Sequence, residues 1–253
     1  MAKSILIANW KNKPSSLREM SLLLAGLAKK SRLYKQIPTY IAPPHTYFES
    51  VSKRANGYSH LASQDISILP EGKHTGSVTV DILKSFGVRL AILGHSEVRT
   101  AGETDEQVSK KVRFALKAGI TPLVCVGETQ RDAEGEYLEF LRHQIKLSLE
   151  GLRRKDDVSK IVIAYEPIWA IGKRAQDAIT PEDLSQIVLF IRRVLVDLFG
   201  RETAEKVKII YGGSVEPKNA KVLFETGVRG FLIGHESLDA KGFAEIAEVL
   251  IKK

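Results

Sequence analysis

Short apolar segments alternate with longer amphipathic segments along the whole chain. The short segments are rich in Ile, Val and Leu and are apolar at nearly every position rather than at every second one. Such continuous runs are typical of parallel strands that are buried on both faces. The pattern predicts eight strands, over residues 4–10, 39–44, 60–65, 89–95, 121–128, 161–167, 207–213 and 230–235.

The segments between these strands carry apolar residues at helical spacing, which predicts helices with one buried face. The apolar stripe of the first helix consists of Leu17, Met20, Leu24 and Leu27. Thr180 followed by Pro181 combines a capping residue with a proline at the first helical position, so a helix is expected to begin there. The predicted helices span 16–30, 104–118, 136–150, 181–199 and 239–251.

This alternation of strand and helix predicts the fold class. Eight units in 253 residues, without a linker rich in Pro, Gly or Ser, favour an α/β fold. We expect residues 1–253 to form a single-domain (β/α)8 barrel, with eight parallel strands inside an outer ring of helices. An open doubly wound sheet is the alternative, but the sequence lacks the G-x-G-x-x-G turn that such a nucleotide-binding sheet carries after a strand.

Composition narrows the class of protein. The chain is 43% hydrophobic and 27% charged, and no apolar run approaches the roughly 18 residues of a membrane span, so no membrane partner is expected. The N-terminus lacks a signal-peptide pattern, and Cys125 is the only cysteine, which together predict a reducing cytoplasm. The net charge of +8 is scattered without a zinc-finger or RNA-binding signature, so no nucleic-acid partner is expected.

Polar residues and glycines gather where the predicted strands end. In a barrel these ends open onto one face, which is where active sites lie. Asn9 and Lys11 follow the first strand, His95 ends the fourth, and two glycine-rich segments, 211–215 and 233–238, follow the last two strands. Successive backbone N–H groups in such segments bind anions, so a phosphate is expected there.

Glu166 is a carboxylate between apolar residues in IVIAYEPIWAIGK (161–173). Apolar surroundings disfavour the charged form of a carboxyl group, which suits a general base that works near neutral pH. The alternative is a structural ion pair with Lys11 or Arg99. For His95, a helix that begins at Ser96 would disfavour the imidazolium and leave a neutral ring that can donate to a carbonyl oxygen. The alternative there is a hydrogen-bonded histidine at a strand end.

The metal motifs in this sequence are incomplete. His95-Ser96-Glu97 lacks the P-C-x-x-C partner of the zinc deaminases, and HESLD (235–239) lacks the second histidine of H-E-x-x-H. We therefore expect no metal. Cys125 is expected to pack as a small apolar residue.

Four motifs together resemble the triosephosphate isomerase family: ANWK (8–11), LGHSE (93–97), YEPIWAIG (165–172) and YGGSV (211–215). They occur in the family's order, and the resemblance spans the chain from strand one to strand eight. It implies a cofactor-free aldose–ketose isomerase of glycolysis and gluconeogenesis, which interconverts dihydroxyacetone phosphate and D-glyceraldehyde 3-phosphate through an enediol(ate). Another phosphate-binding barrel enzyme, an aldolase or a sugar-phosphate epimerase, is the alternative. A barrel without activity that binds RNA or a protein is a third.

The resemblance also implies residue roles. Glu166 would abstract the proton, His95 would polarise the carbonyl group, and Lys11 would stabilise the developing negative charge. The substrate would be bound by Asn9, Lys11, Gly172, Ser214, Gly234 and His235, with Glu97 and Ser96 in support. The lid loop would consist of Pro167, Ile168, Trp169, Ala170, Ile171, Gly172 and Lys173.

A homodimer is implied as well, through the segment 64–78 with Thr75 and Gly76 near its tip. Two segments depart from the family pattern. The tip of the lid reads Lys173-Arg174-Ala175-Gln176-Asp177, with charged residues where Thr and Gly are common. After strand eight, His235 and Glu236 stand where the family usually has Gly and Ala.

Overall fold

A computed structural model describes residues 4–69, 74–153, 155–170 and 179–251 of the protein. Eight parallel strands close into a barrel in chain order, and the last strand pairs with the first. Every strand lies inside its predicted segment, so the predicted (β/α)8 barrel is confirmed. The strands are β1 Ile5–Asn9, β2 Thr39–Ala42, β3 His60–Ser63, β4 Leu90–Leu93, β5 Thr121–Val126, β6 Val162–Tyr165, β7 Lys208–Tyr211 and β8 Gly230–Ile233.

Helices follow the strands and surround the barrel. All five predicted helices form, each beginning and ending within two residues of its prediction. The helices are α1 Leu17–Ala28, α2 Ser31–Tyr34, α3 Phe48–Ala55, α4 Val80–Ser85, α5 Ser96–Thr100, α6 Asp105–Lys117, α7 Glu136–Ser148, α8 Lys155–Val158, α9 Pro181–Phe199, α10 Arg201–Lys206, α11 Pro217–Glu225 and α12 Ala240–Ile251. Within the described ranges, no helix is long and apolar enough to cross a membrane.

Side-chain caps fix where the long helices begin. The hydroxyl of Thr180 accepts a hydrogen bond from the backbone N–H of Asp183 at 3.1 Å, which confirms the predicted start of α9. Ser16 caps α1 in the same way, so Leu17 is the first helical residue. The prediction that Leu17 belongs to the buried stripe is wrong, because at this position its side chain is 64% exposed. Leu23 completes the buried stripe instead.

Neighbouring residues of each strand point into two different cores, which explains the continuous apolar runs. Ile5, Ile7 and Cys125 belong to a cluster inside the barrel. Leu6 and Ala8 belong to the larger cluster between the barrel and its helices. Because strand residues alternate between the two faces, both faces must be apolar along the strand and polar side chains are placed at its end.

Candidate active site

A cavity of about 370 Å³ opens at the C-terminal ends of the strands. Seven of the residues predicted for the site line it, and the structure thus brings them together: Asn9, Lys11, His95, Glu166, Ser214, Gly234 and His235. The other lining residues are Gly212, Gly213, Val215, Glu216, Leu232 and Glu236. Ile171, Gly172 and Lys173, and with them the altered lid tip 173–177, lie outside the described residues.

His95 is fixed by the helix that starts beside it. It caps α5, and the backbone N–H of Glu97 donates to its Nδ1 at 3.2 Å. A nitrogen that accepts a hydrogen bond carries no proton, so this bond selects the neutral ring with its proton on Nε2. The predicted helix start at Ser96 is thereby confirmed. The Nε2 atom lies 3.5 Å from Oε1 of Glu166.

The two carboxylate oxygens of Glu166 have different surroundings. The side chain is only 2% exposed, and the backbone N–H of Ser96 donates to Oε2 at 3.1 Å. Oε1 has no hydrogen-bond partner among the described residues. One oxygen is therefore held in place, while the other, on an almost wholly buried side chain that faces the cavity, is available to accept a proton.

The predicted alternative for Glu166, an ion pair with Lys11 or Arg99, is wrong. Lys11 pairs with Glu97 at 2.6 Å. Arg99 pairs with Asp105, also at 2.6 Å. Glu166 accordingly has no Lys or Arg partner within the described part of the chain, which leaves it as a buried carboxylate beside a neutral imidazole.

Two glycines make room for Glu166. A Cβ atom on Gly127 would lie 1.7 Å from the backbone oxygen of Glu166, and one on Gly212 would lie 2.9 Å from its Cγ. Since real Cβ atoms do not approach other atoms that closely, a side chain at position 127 would displace the backbone of Glu166, and one at position 212 would displace its side chain. Gly212 thus serves the placement of Glu166 in addition to the chain turn after β7.

Lys11 is held by a strained backbone above the end of β1. It is the one non-glycine residue in the described ranges with a positive φ, 51°. Its N–H donates to Oδ1 of Asn9 at 3.0 Å, and the side-chain amide of Gln64 donates to its carbonyl at 2.7 Å. These bonds fix the left-handed turn that brings the lysine side chain to the cavity, where it is 35% exposed.

Comparison with known proteins agrees with this geometry. A model of the family described as triosephosphate isomerase matches residues 4–250. The chain belongs to the triosephosphate isomerase family. The predicted resemblance is therefore confirmed, and the family match does not favour the aldolase or epimerase alternative.

Several curated members of the family are similar to this chain over nearly its full length. The triosephosphate isomerase of Chlorobium phaeobacteroides is 37% identical over 254 residues, which cover 99% of this chain and all of that protein. The one of Fusobacterium nucleatum is 38% identical over 97% of this chain and 98% of its own length. The triosephosphate isomerase of Roseiflexus sp. is 38% identical over 99% of this chain and 98% of its own length.

In this family member the root of the predicted lid rests on a buried carboxylate, Glu128. Oε1 of Glu128 accepts hydrogen bonds from the Tyr165 hydroxyl and from Nε1 of Trp169, both at 2.8 Å. Arg131 donates to the same oxygen at 3.1 Å, and its guanidinium lies 5.0 Å from the centre of the Trp169 ring. Burial, reinforced by the Glu128 charge, raises the pKa of the Tyr165 hydroxyl, which therefore stays a donor.

Glu128 is not among the predicted site residues, although the sequence carries a signal for it. Like Glu166, it is a carboxylate directly after a buried apolar strand, in TPLVCVGE. Ile168 to Ala170, which follow Pro167 in the predicted lid, form a 3-10 helix. The Ser214 hydroxyl donates to the carbonyl of Ala170 at 3.2 Å, so the root of the lid is also bonded to the loop after β7.

Replacing Glu128 with alanine is expected to lower the free energy of unfolding by about 1–3 kcal/mol, because it removes the buried acceptor shared by the Tyr165 hydroxyl and the indole N–H of Trp169. Arg131 keeps Asp183 as a partner. Urea denaturation followed by circular dichroism measures this. Glu139→Ala is the control, since Glu139 is 72% exposed and pairs with Arg142 at the surface, where such a pair contributes at most about 1 kcal/mol. Equal losses of unfolding free energy in Glu128→Ala and Glu139→Ala would contradict the view that Glu128 supports the root of the lid.

Cys125 packs inside the barrel as predicted and is 1% exposed. Burial, together with the nearby Glu166 carboxylate, raises the pKa of its thiol well above the ordinary value, so the sulfur stays protonated.

Over the ranges that the structure describes, no group of three or more His, Cys, Asp or Glu side chains could hold a metal ion. The expectation that no cofactor is needed stays a prediction.

Proposed function

We propose that this chain, as one barrel domain over residues 1–253, is a triosephosphate isomerase that interconverts dihydroxyacetone phosphate and D-glyceraldehyde 3-phosphate. The observation that carries the proposal is the pair in the cavity: the unpaired Oε1 of Glu166 and, 3.5 Å away, the Nε2 of a neutral His95. A base and a neutral donor side by side suit a proton transfer next to a carbonyl group. Family membership supports the same reaction.

The two groups divide the proton transfers between them. Glu166 removes a proton from the carbon next to the carbonyl group and returns it to the neighbouring carbon. The proton on Nε2 of His95 polarises the carbonyl oxygen and passes to it as the enediol(ate) forms, and the ring recovers a proton from the other oxygen. The ammonium group of Lys11, preorganised by its turn, stabilises the negative charge that develops on oxygen.

The phosphate group binds at the ends of β7 and β8. Ser214, Gly234 and His235 line that part of the cavity, and backbone N–H groups of such turns are suited to an anion. Gly172 belongs to the same proposed set. Asn9 supports the turn of Lys11. Glu97 holds the lysine side chain, and Ser96 orients the base.

The reaction is tested by a coupled assay of D-glyceraldehyde 3-phosphate turnover by the purified chain, with a chelator present because the proposal needs no metal. Isomerisation is expected, and in D2O the product should carry deuterium on the carbon that receives the proton. Absence of turnover with both triose phosphates would overturn the proposal. An imine trapped by borohydride would point to an aldolase instead.

We further propose a homodimer in a reducing cytoplasm, without membrane or nucleic-acid partners. Beside the active site, a second cavity of about 540 Å³ is lined by Lys11, Asn12, Pro44, His45, Gln64 and Glu97. Thr75 and Gly76 are exposed and available to enter such a cavity on a second copy. Ile82 and Phe86, which follow that segment, are 45% and 37% exposed. Sedimentation velocity tests this, and a monomer at micromolar concentration would contradict it.

A further inference from the structure

His235 lines the active-site cavity together with Lys11, Ser214 and Gly234. It is the first residue of the 3-10 helix His235–Leu238, which directly follows β8. A Cβ atom on the preceding residue, Gly234, would lie 3.5 Å from Cε of Lys11. The segment that carries His235 thus approaches the lysine side chain closely, and both residues line the cavity that an anion would enter.

The imidazole of His235 is free to bind a ligand. The residue is exposed, and its ring has no hydrogen bond or ion pair within the described residues. The other cavity histidine differs in both respects, because His95 is 7% exposed and its Nδ1 already accepts a hydrogen bond. A ring nitrogen of His235 is therefore available as a donor that the fold itself does not use.

Charged groups lie around the segment that begins with His235. Lys11, which follows β1, approaches Gly234. Glu216, which is paired with Lys218 at the start of α11, and Glu245 on α12 act on the neighbouring Glu236. Its own segment contributes Glu236 and Asp239. A Cβ atom on Gly242 would lie 2.5 Å from Oε2 of Glu236, so this carboxylate faces the start of α12.

The neighbouring carboxyl group senses His235. Burial raises the pKa of Glu236, and the charge of His235 is the largest opposing influence on that carboxyl group. An anion that binds close to an imidazole favours the charged form of the ring.

We propose that the side chain of His235 binds the phosphate group of the substrate as an imidazolium, in addition to the backbone N–H groups at the ends of β7 and β8. The inference rests on the proposed function, in that the phosphate is that of a triose phosphate. Histidine changes its charge between pH 5 and 8. The imidazolium is present at the lower end of this range, so its contribution to anion affinity is present there and is lost as the pH rises.

Inhibition by sulfate tests this, because sulfate stays a dianion throughout the range whereas phosphate itself titrates. The inhibition constant of sulfate is measured at pH 6 and pH 8.5 for the wild type and for His235→Asn, in which an uncharged planar side chain replaces the imidazole. For one positive charge close to an anion in a partly exposed site, we expect the variant to bind sulfate roughly three- to tenfold more weakly at pH 6. At pH 8.5 the two constants should agree.

The decisive quantity is the sulfate inhibition constant of the variant divided by that of the wild type at the same pH. Other titrating groups of the cavity affect both proteins alike and therefore cancel in this ratio. His143→Asn is the matched control, because His143 is exposed on α7 outside the cavity, and its ratio to wild type should stay near one. A ratio for His235→Asn that does not change with pH would overturn the proposal. A purely structural role of the side chain would give such a constant ratio.

Direct calorimetric titration of sulfate into the same proteins separates this inference from the proposed function. If the chain lacks isomerase activity but binds sulfate with the expected pH-dependent difference between the variants, only the proposed function fails. If it is an active isomerase and the difference is absent, only the role of His235 fails. Wild-type protein that binds no sulfate at pH 6 would also overturn the inference.

Discussion

Replacing Glu166 with glutamine is expected to lower kcat by roughly 10²- to 10⁴-fold and to leave the barrel folded. Glutamine has nearly the same shape, and its carbonyl oxygen is able to accept the hydrogen bond from the backbone N–H of Ser96 that Oε2 now accepts. It is not able to take up a proton from carbon. Steady-state turnover of D-glyceraldehyde 3-phosphate, together with far-ultraviolet circular dichroism, measures both parts of the expectation.

A second readout isolates the proton transfer itself. In D2O the wild type should exchange the carbon-bound proton of unreacted substrate with solvent, and Glu166→Gln should not. Glu225→Gln is the control, because Glu225 is an exposed carboxylate at the end of α11 that is remote from the cavity. A Glu166→Gln protein that turns over at wild-type rate would assign the base to another residue.

Replacing Lys11 with methionine is expected to lower kcat/KM by roughly 10²- to 10³-fold, the effect typical of losing one preorganised group that stabilises developing negative charge. Methionine keeps an unbranched apolar stem of similar length and removes the charge. The ion pair that is lost, between Lys11 and Glu97, is 35% and 60% exposed. The fold should therefore be little affected, because pairs of this exposure contribute little to stability.

Lys13 supplies the matched control for this substitution. It lies two residues further along, is exposed, and donates to the Ser15 hydroxyl at 2.8 Å. Lys13→Met removes the same charge from the same loop without touching the cavity, so kcat/KM should change less than about twofold if overall charge has only a small effect on substrate capture. Equal losses in the two variants would show that the loop charge, and not the position of Lys11, matters.

The barrel could be predicted from sequence because both faces of each strand are buried. That requirement makes the strand segments continuously apolar and pushes Asn9, His95 and Glu166 to the strand ends, where the fold brings them together. The start of α5 was equally predictable, since His95 precedes Ser96 and Glu97 directly in the chain. A structural feature that depends on neighbouring residues in the chain can therefore be predicted from the sequence.

The partners of the site residues could not be predicted in the same way. The meeting of Glu128 with Trp169 depends on the register of β5 and β6, in which Val126 lies beside Tyr165. Likewise, the choice of Glu97 as the partner of Lys11 depends on two segments that are distant in sequence, the loop after β1 and the helix α5 after β4. Leu17 shows a third limit, because a helical stripe does not reveal which of its residues falls at the exposed first turn.

The two reacting groups share one support. Consecutive backbone N–H groups at the start of α5 hold them: that of Ser96 donates to Glu166, and that of Glu97 donates to His95. A shift of this single turn therefore moves the base and changes the proton position on the imidazole in the same event. The free-energy changes measured for substitutions of Glu166 and of His95 should consequently not be additive. A double-mutant cycle between these two residues would report the thermodynamic coupling that the shared turn imposes.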